Sequence, residues 1–512
     1  MADISRGLVD VKNKTFKNVD SSNLATRFNT MLKNVASKFE NNGPTYAVWI
    51  YFQLGITKPI IFDSSSTNKN QNLIASLNIK KGGSGCANTF TLKIVYDAFD
   101  FGQNTKDQIE QLDELIAEAM SVDWNKNESS EDKMQGILQY GYSGSGGGDD
   151  SLVSPQYRFY LTNAKSSVRF DSGLSEYTFE GVSKLAGDCD FTANFEKVEN
   201  KGVMTVIANT LYKYYGKNGN APNGADSGVK PVDSALSYYI DIPKYLVDDQ
   251  CTVSLDAATG TSPWQYCLDL LSKEPLTKSQ KDSEEYKDTS KMNFDEIPRY
   301  TMYITDDKDR PTIHVAHITP KESKTNTRIN YEFTWSLQKK NIVVEWKPEV
   351  DLYQYIIRKF NHSRVTQDET QTIDLEDEDN IKNGVTEVVQ DKFRMQQDDL
   401  LEMYNATLTL VGIPADPPLT AEVRVQPRIL QNVSRTAGVY IIQDCEDDIS
   451  TAGVYTTTLK LFRTRSLNEK EWTTTPSEGA VDTTPSTQKA TQEKEKEAAK
   501  KSTEETSKQS KQ

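Results

Sequence analysis

Alternation of apolar and polar residues with a period of two recurs in widely separated stretches of this chain, and it decides the fold class before any other feature. Phe90, Leu92, Ile94 and Tyr96 fall on one face of FTLKIVY. Ala406, Leu408 and Leu410 alternate with threonines, and YTTTLKL (Tyr455–Leu461) repeats the pattern. Only a pleated strand sends every second side chain to the same side. Further strands are expected at Tyr46–Phe52, Leu73–Ile79, Ile137–Tyr142, Tyr157–Thr162 and Ser175–Val182. Others follow at Tyr300–Ile304, Thr312–Ile318, Tyr331–Ser336, Glu422–Val425 and Val439–Ile442. With 24 Tyr and 18 Phe beside abundant Val, Ile and Thr, the chain suits half-buried sheet surfaces.

Helical spacing is sparser. It is expected over Asn23–Phe39, and over Asp107–Met120, where Ile109, Leu112, Ile116 and Ala119 form a stripe behind an acidic first turn. A helix within Phe195–Tyr215 ends before Gly216, and another opens at Ser262–Pro263, a cap and a first-turn proline. The order predicts a mainly β chain with some α. A first β-barrel-like unit spans 1–185, a mixed α+β region 186–345, and a second β-barrel-like unit 346–465. From 466 to 512 large apolar residues almost vanish, so that tail is expected to be disordered.

Several function classes lose support. No stretch reads as a signal peptide, and no run approaches the roughly 18 apolar residues of a membrane span. The expectation is a chain assembled in a cytoplasm, without integral membrane association. A net charge of −15 opposes gripping phosphate backbones, although an acidic wall would let DNA slide past. Five scattered cysteines (Cys86, Cys189, Cys251, Cys267, Cys445) give neither a disulfide framework nor a CxxC metal pair, and read as small buried hydrophobes.

No catalytic constellation stands out. His314 and His317 are three apart in a strand, hence on opposite faces, and unsuited to one metal. The acidic stretch Asp374–Asp379 has calcium-compatible ligand types but lacks the spacing of a hand-like loop, so a solvated loop is the simpler reading. The glycine runs 82–85 and 144–148 read as flexible turns rather than phosphate loops. Trp335 and Trp346 suit packing better than a stacking platform. No catalytic, cofactor-binding or metal residue is therefore assigned, and an enzyme is not expected.

Three stretches resemble the baseplate hub proteins of phage tails and contractile injection machines. The most specific lies near the C-terminus: Gly412 and Pro414; Gly438, Tyr440 and Ile442; then Ile449, Ser450 and Gly453 in a connection that also holds Asp447; and Thr457, Leu459, Leu461 and Arg463 in a final strand. Gly202–Gly216 is similar to the helix after the family's first tube domain, and FTWSLQKKNIVVEWKPEVDL to the strands introducing the second. The resemblance implies a homotrimeric structural virion protein, in which two related β-barrel domains per chain build a sixfold-like ring. That ring would line the channel and join tail tube to central spike, with barrel edge strands as joints. Implied partners are the tail tube protein, the spike, other baseplate proteins and, as a further candidate, the tape measure protein, with DNA only passing through. The location implied is the virion tail baseplate, assembled in the host cytoplasm. Alternatives are a distal tail, tube-initiator or adaptor protein lacking a second barrel-like unit, a tail-associated peptidoglycan-degrading enzyme, or an adhesion protein.

Overall fold

The computed structural model describes residues 6–10, 15–18, 28, 30–38, 47–55, 57–64, 74–82, 88–97, 103–120, 135–144, 147–169, 171, 173–183, 192–215, 239–243, 248–273, 278, 299–305, 312–318, 331–336, 342–350, 353, 404–417, 419, 422–429, 432–434, 436–450 and 453–466. The tail 467–512 and the acidic stretch 374–379 lie outside the described residues.

Strands dominate. In chain order they are β1 (Arg6–Asp10), β2 (Thr15–Asn18), β3 (Val48–Leu54), β4 (Ile60–Asp63), β5 (Ile74–Gly82), β6 (Thr89–Asp97), β7 (Gln135–Gly144), β8 (Gly147–Val153), β9 (Tyr157–Val168), β10 (Leu174–Ser183), β11 (Ala193–Asn194) and β12 (Val198–Gly202). There follow β13 (Tyr239–Pro243), β14 (Thr252–Leu255), β15 (Thr259–Thr261), β16 (Arg299–Thr305), β17 (Thr312–Ile318), β18 (Tyr331–Ser336), β19 (Val343–Val350), β20 (Tyr404–Val411), β21 (Glu422–Ile429), β22 (Asn432–Val433), β23 (Gly438–Ile449) and β24 (Tyr455–Ser466). The helices are α1 (30–38), α2 (Gln103–Met120), α3 (Val203–Tyr215) and α4 (Pro263–Lys273). The mainly β class with a minor α share is therefore what the chain forms.

Two sets of strands share one order. In the first module the path is β3–β7–β9–β10–β6–β5, with short β8 beside β7 and with β4, which lacks a counterpart among the described strands of the second, on the outer edge of β3. In the second it is β18–β21–β23–β24–β20–β19, with short β22 beside β21. Each position along the path has the same rank in the sequence. The one difference in direction is that β3 runs antiparallel to β7, whereas β18 runs parallel to β21. Even the last turns match: Gly173 and Gly453 both take a left-handed φ (68° and 75°), each two residues before the pairing of the final strand resumes.

Neither module closes into a barrel among the described strands. Closure would set β5 against β4 at the far end of its own module, but β5 takes β23 of the other module instead. The two barrel-like units expected from sequence thereby merge, among the described strands, into one 15-stranded sheet. Their cores merge as well. Phe52, Phe90, Phe159 and Phe179 cluster with centroids 4.6–6.3 Å apart, and they belong to the same buried cluster as Leu408, Leu459 and Leu461. α2 adds Leu112 and Leu115, both buried, with Ile109 and Ile116 alongside. It begins at Gln103, four residues earlier than the sequence suggested, so Asp107 no longer sits in its first turn.

The middle region has its own core, in which α3 packs on α4 around Ile207, Leu211, Cys267 and Leu270. Ser262 caps α4 as its sequence implied, accepting from the Gln265 amide at 3.1 Å. A five-stranded sheet β16–β17–β13–β1–β2 belongs to this region, so the first strands of the chain pair there rather than with the first module. Conversely β18, read from sequence as part of the middle region, pairs with β21.

Candidate functional site

The site is the joint where β5 meets β23. β23 is long and changes partners along its length. Its first part, Gly438–Ile441, pairs with β21 of its own module. A bulge at Gln443 follows. Beyond it, Asp444–Ile449 pairs with Gly82–Leu77 of β5. Cys445, Asp447 and Ile449 point inward, all 1 % exposed or less.

At the centre of the joint lies a buried charge cluster. Lys81 Nζ sits 2.7 Å from Asp447 Oδ2 and 3.7 Å from Asp416 Oδ1, and it donates to the Ala415 carbonyl at 3.0 Å. All three charged side chains are at most 5 % exposed. Asp447 also accepts from the Tyr140 hydroxyl at 2.6 Å, the Tyr455 hydroxyl at 3.2 Å and the Thr457 hydroxyl at 2.5 Å. Asp416 accepts from the Tyr157 hydroxyl at 2.7 Å. The Lys81 ammonium further lies 5.5 Å and 5.8 Å from the Tyr140 and Tyr157 ring centres.

Most of these bonds cross between modules. Lys81, Tyr140 and Tyr157 come from the first, and Asp447, Asp416 and Ala415 from the second. Two more polar contacts cross beside them: Tyr142 donates to the Gly412 carbonyl at 2.8 Å, and Asn78 to Glu446 at 2.6 Å. Gly412 is needed where it is, because a Cβ there would lie 2.1 Å from the Tyr455 ring. The Thr457 hydroxyl completes the local framework by accepting from the Ile413 amide at 2.7 Å.

Electrostatics follow from burial. Burial opposes the Lys81 charge, but Asp447 and Asp416 outweigh it and hold its pKa above the ordinary lysine value. Burial, reinforced by Asp447 or Asp416, pushes Tyr140, Tyr157 and Tyr455 well up, so they stay phenols and donate. The Cys445 thiol is likewise pushed up by burial and by Asp447. A lysine held charged is no nucleophile, and carboxylates already accepting from phenols and an ammonium offer little to a substrate. The chemistry of this cluster is cohesion.

The residues weighed from sequence fall elsewhere. His314 is buried, stacks on Tyr303 at 4.7 Å and shares a 2.7 Å hydrogen bond with Thr305. His317, three residues along the same strand, pairs opposite Tyr300 in register. Cys251, Cys267 and Cys445 are buried, in keeping with small hydrophobes, while Cys86 and Cys189 lie outside the described residues. Trp346 packs edge-on against Tyr440 at 5.2 Å, and its indole donates to Thr436. In the glycine run 144–148, Gly144 pairs with Gly147 and Ser143 with Gly148, so the flanks are strand, while 145–146 lie outside the described residues. Among the described residues no group of His, Cys, Asp or Glu suits a metal ion, and no helix is long and apolar enough to cross a membrane. The decisive residues, Lys81, Asp416 and Asp447, were not singled out from sequence. Asp447 had been assigned to a connection, whereas it lies inside β23.

No protein-family model matches the chain, and no curated protein matches it by sequence. Solved structures do. The chain is similar to solved tail proteins, each at a TM-score below 0.5. One is the tail protein from Neisseria meningitidis MC58, at 10% identity and TM-score 0.41, covering 83% of this chain and 98% of that one. A second is the 43 kDa tail protein of prophage MuSo2 from Shewanella oneidensis, at 11% identity and TM-score 0.40, covering 81% and 98%. A third is the E. coli c3393 protein, described as a type VI secretion component with structural similarity to the T4 tail proteins gp27 and gp5, at 8% identity and TM-score 0.38, covering 78% and 75%.

Proposed function

We propose that this chain is a non-catalytic structural subunit of a phage tail or related injection machine, and specifically its baseplate hub. Two tube-type modules per chain let three copies form a ring of six modules, which adapts a sixfold tube to a threefold spike and lines the channel between them. The observation that carries this reading is the repeated strand order, fastened by the β5–β23 joint and its buried Lys81–Asp447 pair. A ring subunit of this kind needs two like modules held at a fixed angle, and a continuous sheet with a shared core supplies that rigidity. The C-terminal motif resemblance points the same way. A distal tail or adaptor protein would share the strand pattern without needing a second copy of it.

In this proposal the middle region, with α3 and α4, faces outward to neighbouring baseplate proteins. The tube and spike proteins stack on the two ends of the ring. The acidic balance suits a wall past which DNA slides. The site of action is the tail baseplate of the virion. Sedimentation of the full chain tests the assembly, with trimers expected in the micromolar range and six-lobed rings in electron micrographs. Monomers at every concentration would remove the proposal.

A further inference from the structure

The repeat allows one joint to be read from the other. β9 in the first module is built as β23 is in the second. Its first part, Tyr157–Tyr160, pairs with β7, just as Gly438–Ile441 pairs with β21. A bulge then follows at Thr162, in the place of the Gln443 bulge. Beyond its bulge β23 offers Asp444–Ile449 to β5. Beyond its own bulge β9 offers the equivalent six residues, Asn163–Val168, and among the described strands only β10 pairs with them. The burial differs accordingly. Asp447 is 1 % exposed, while Lys165, Ser166 and Ser167 are all exposed.

The matching edge exists on the second module. β19 holds the place of β5 and ends the strand path there. Trp346 faces Leu408, which faces Leu459; Leu77 faces Leu92, which faces Phe179. Trp346 is thus the counterpart of Leu77, and Val350 that of Lys81. β19 is largely exposed, with Val344 at 58% and Val350 at 51%, whereas Leu77, Ile79 and Lys81 are buried.

We propose that β19 of one copy of this chain adds, antiparallel, to Asn163–Val168 of β9 in a second copy. The inference rests on the ring assembly proposed above and names its joint. Transposing the β5–β23 register sets Val350 opposite Ala164, Glu349 opposite Lys165, Pro348 opposite Ser166, Lys347 opposite Ser167 and Trp346 opposite Val168. Charge supports that register. Within the chain Lys80 faces Glu446, and between chains Glu349 faces Lys165, the same pairing with its signs exchanged. Pro348 has no amide hydrogen and contributes at most its carbonyl to the ladder. Glu345, Lys347, Pro348 and Glu349 otherwise guard the edge against indiscriminate pairing. The two surfaces differ, so the contact is head-to-tail and extends until a ring closes.

The two joints are not chemically equal. Where the internal joint holds Lys81 against Asp447, the external one holds Val350 near Ser166. The internal joint is locked by buried charge, and the external one is mild and separable.

Directly opposed residues of antiparallel strands have Cα atoms about 4.5–5.5 Å apart, within reach of a disulfide. The test is therefore the full chain carrying Ala164→Cys with Val350→Cys, oxidised and run without reductant. The wild-type chain, each single variant and the off-register pair Ser167→Cys with Val350→Cys serve as controls. Circular dichroism and sedimentation verify that each variant folds and associates. The expected result is covalent oligomers from the in-register pair alone, returning to monomer on reduction. An associated protein that gives no cross-link, or cross-links equally off register, overturns this joint and leaves the ring reading standing. A wild-type chain that never associates overturns both. Charge exchange gives a second arm: Lys165→Glu should weaken association about two- to fivefold, and adding Glu349→Lys should restore it. Failure of the second change to restore it also counts against the joint.

Discussion

Lys81 is the residue on which the two modules most depend. Lys81→Met would leave Asp447 and Asp416 buried without their cation, and breaking a buried pair from one side costs about 3–5 kcal/mol. The double variant Lys81→Met with Asp447→Leu should cost less than the two single changes added together, as measured by denaturant unfolding. The pH dependence has a definite sign. Lys81 has its folded pKa raised, so its contribution is fully present below the unfolded lysine value of about 10.4, and it is lost as pH rises through the higher folded value. The raised tyrosines Tyr140, Tyr157 and Tyr455 act in the same direction. Stability should therefore fall at strongly alkaline pH, more steeply in the wild-type chain than in Lys81→Met, with the fold followed by circular dichroism. This cluster was hard to see in the sequence. Lys81 is the second residue of the run KKGGSG, and Asp447 sits in CEDD; each reads as solvated, and their pairing spans more than three hundred positions. The available signal was the period: Cys445 and Ile449 flank Asp447 at steps of two, which puts its carboxyl on their buried face.

At the scale of elements, the sequence was legible where a single strand or helix shows its own periodicity. β6, β10, β20 and β24 lie where alternation put them, and α4 begins at its serine cap. Legibility ended where a neighbour decides. β23 runs seven residues past Ile442 because β5 and β24 supply partners to an acidic segment with weak strand character of its own. β8 forms from a glycine-rich stretch because β7 is there to pair with it. The matched turns give a test of the repeat. Gly173 and Gly453 both hold φ values that cost a residue with a Cβ about 1–2 kcal/mol. Gly173→Ala and Gly453→Ala should therefore lower stability by similar amounts, read from unfolding midpoints.

Over the described residues, one buried cluster runs through both modules and takes in Tyr303 of β16, while the rest of the middle region keeps another. Calorimetry should accordingly show the two modules melting together and the middle region separately. Lys81→Met should split the shared transition. The broad plan, β-rich ends around a mixed centre, was readable from strand patterns and breaker segments. The fusion of both ends into one sheet was not, since no local pattern names the far strand that an edge will choose. The same distance explains why β1 and β2 were placed with the wrong neighbours: their companions β13 and β17 lie more than two hundred positions downstream.

That distance also bears on biosynthesis. A ribosome releases β5 long before β23 exists, so the nascent first module waits with a raw border and an ammonium lacking its counter-ions. Closing so remote a contact is slow, and during the wait the border invites pairing with other nascent chains. Productive folding of this protein should thus lean on chaperones until translation has passed Ile449, and chains truncated before that point should aggregate.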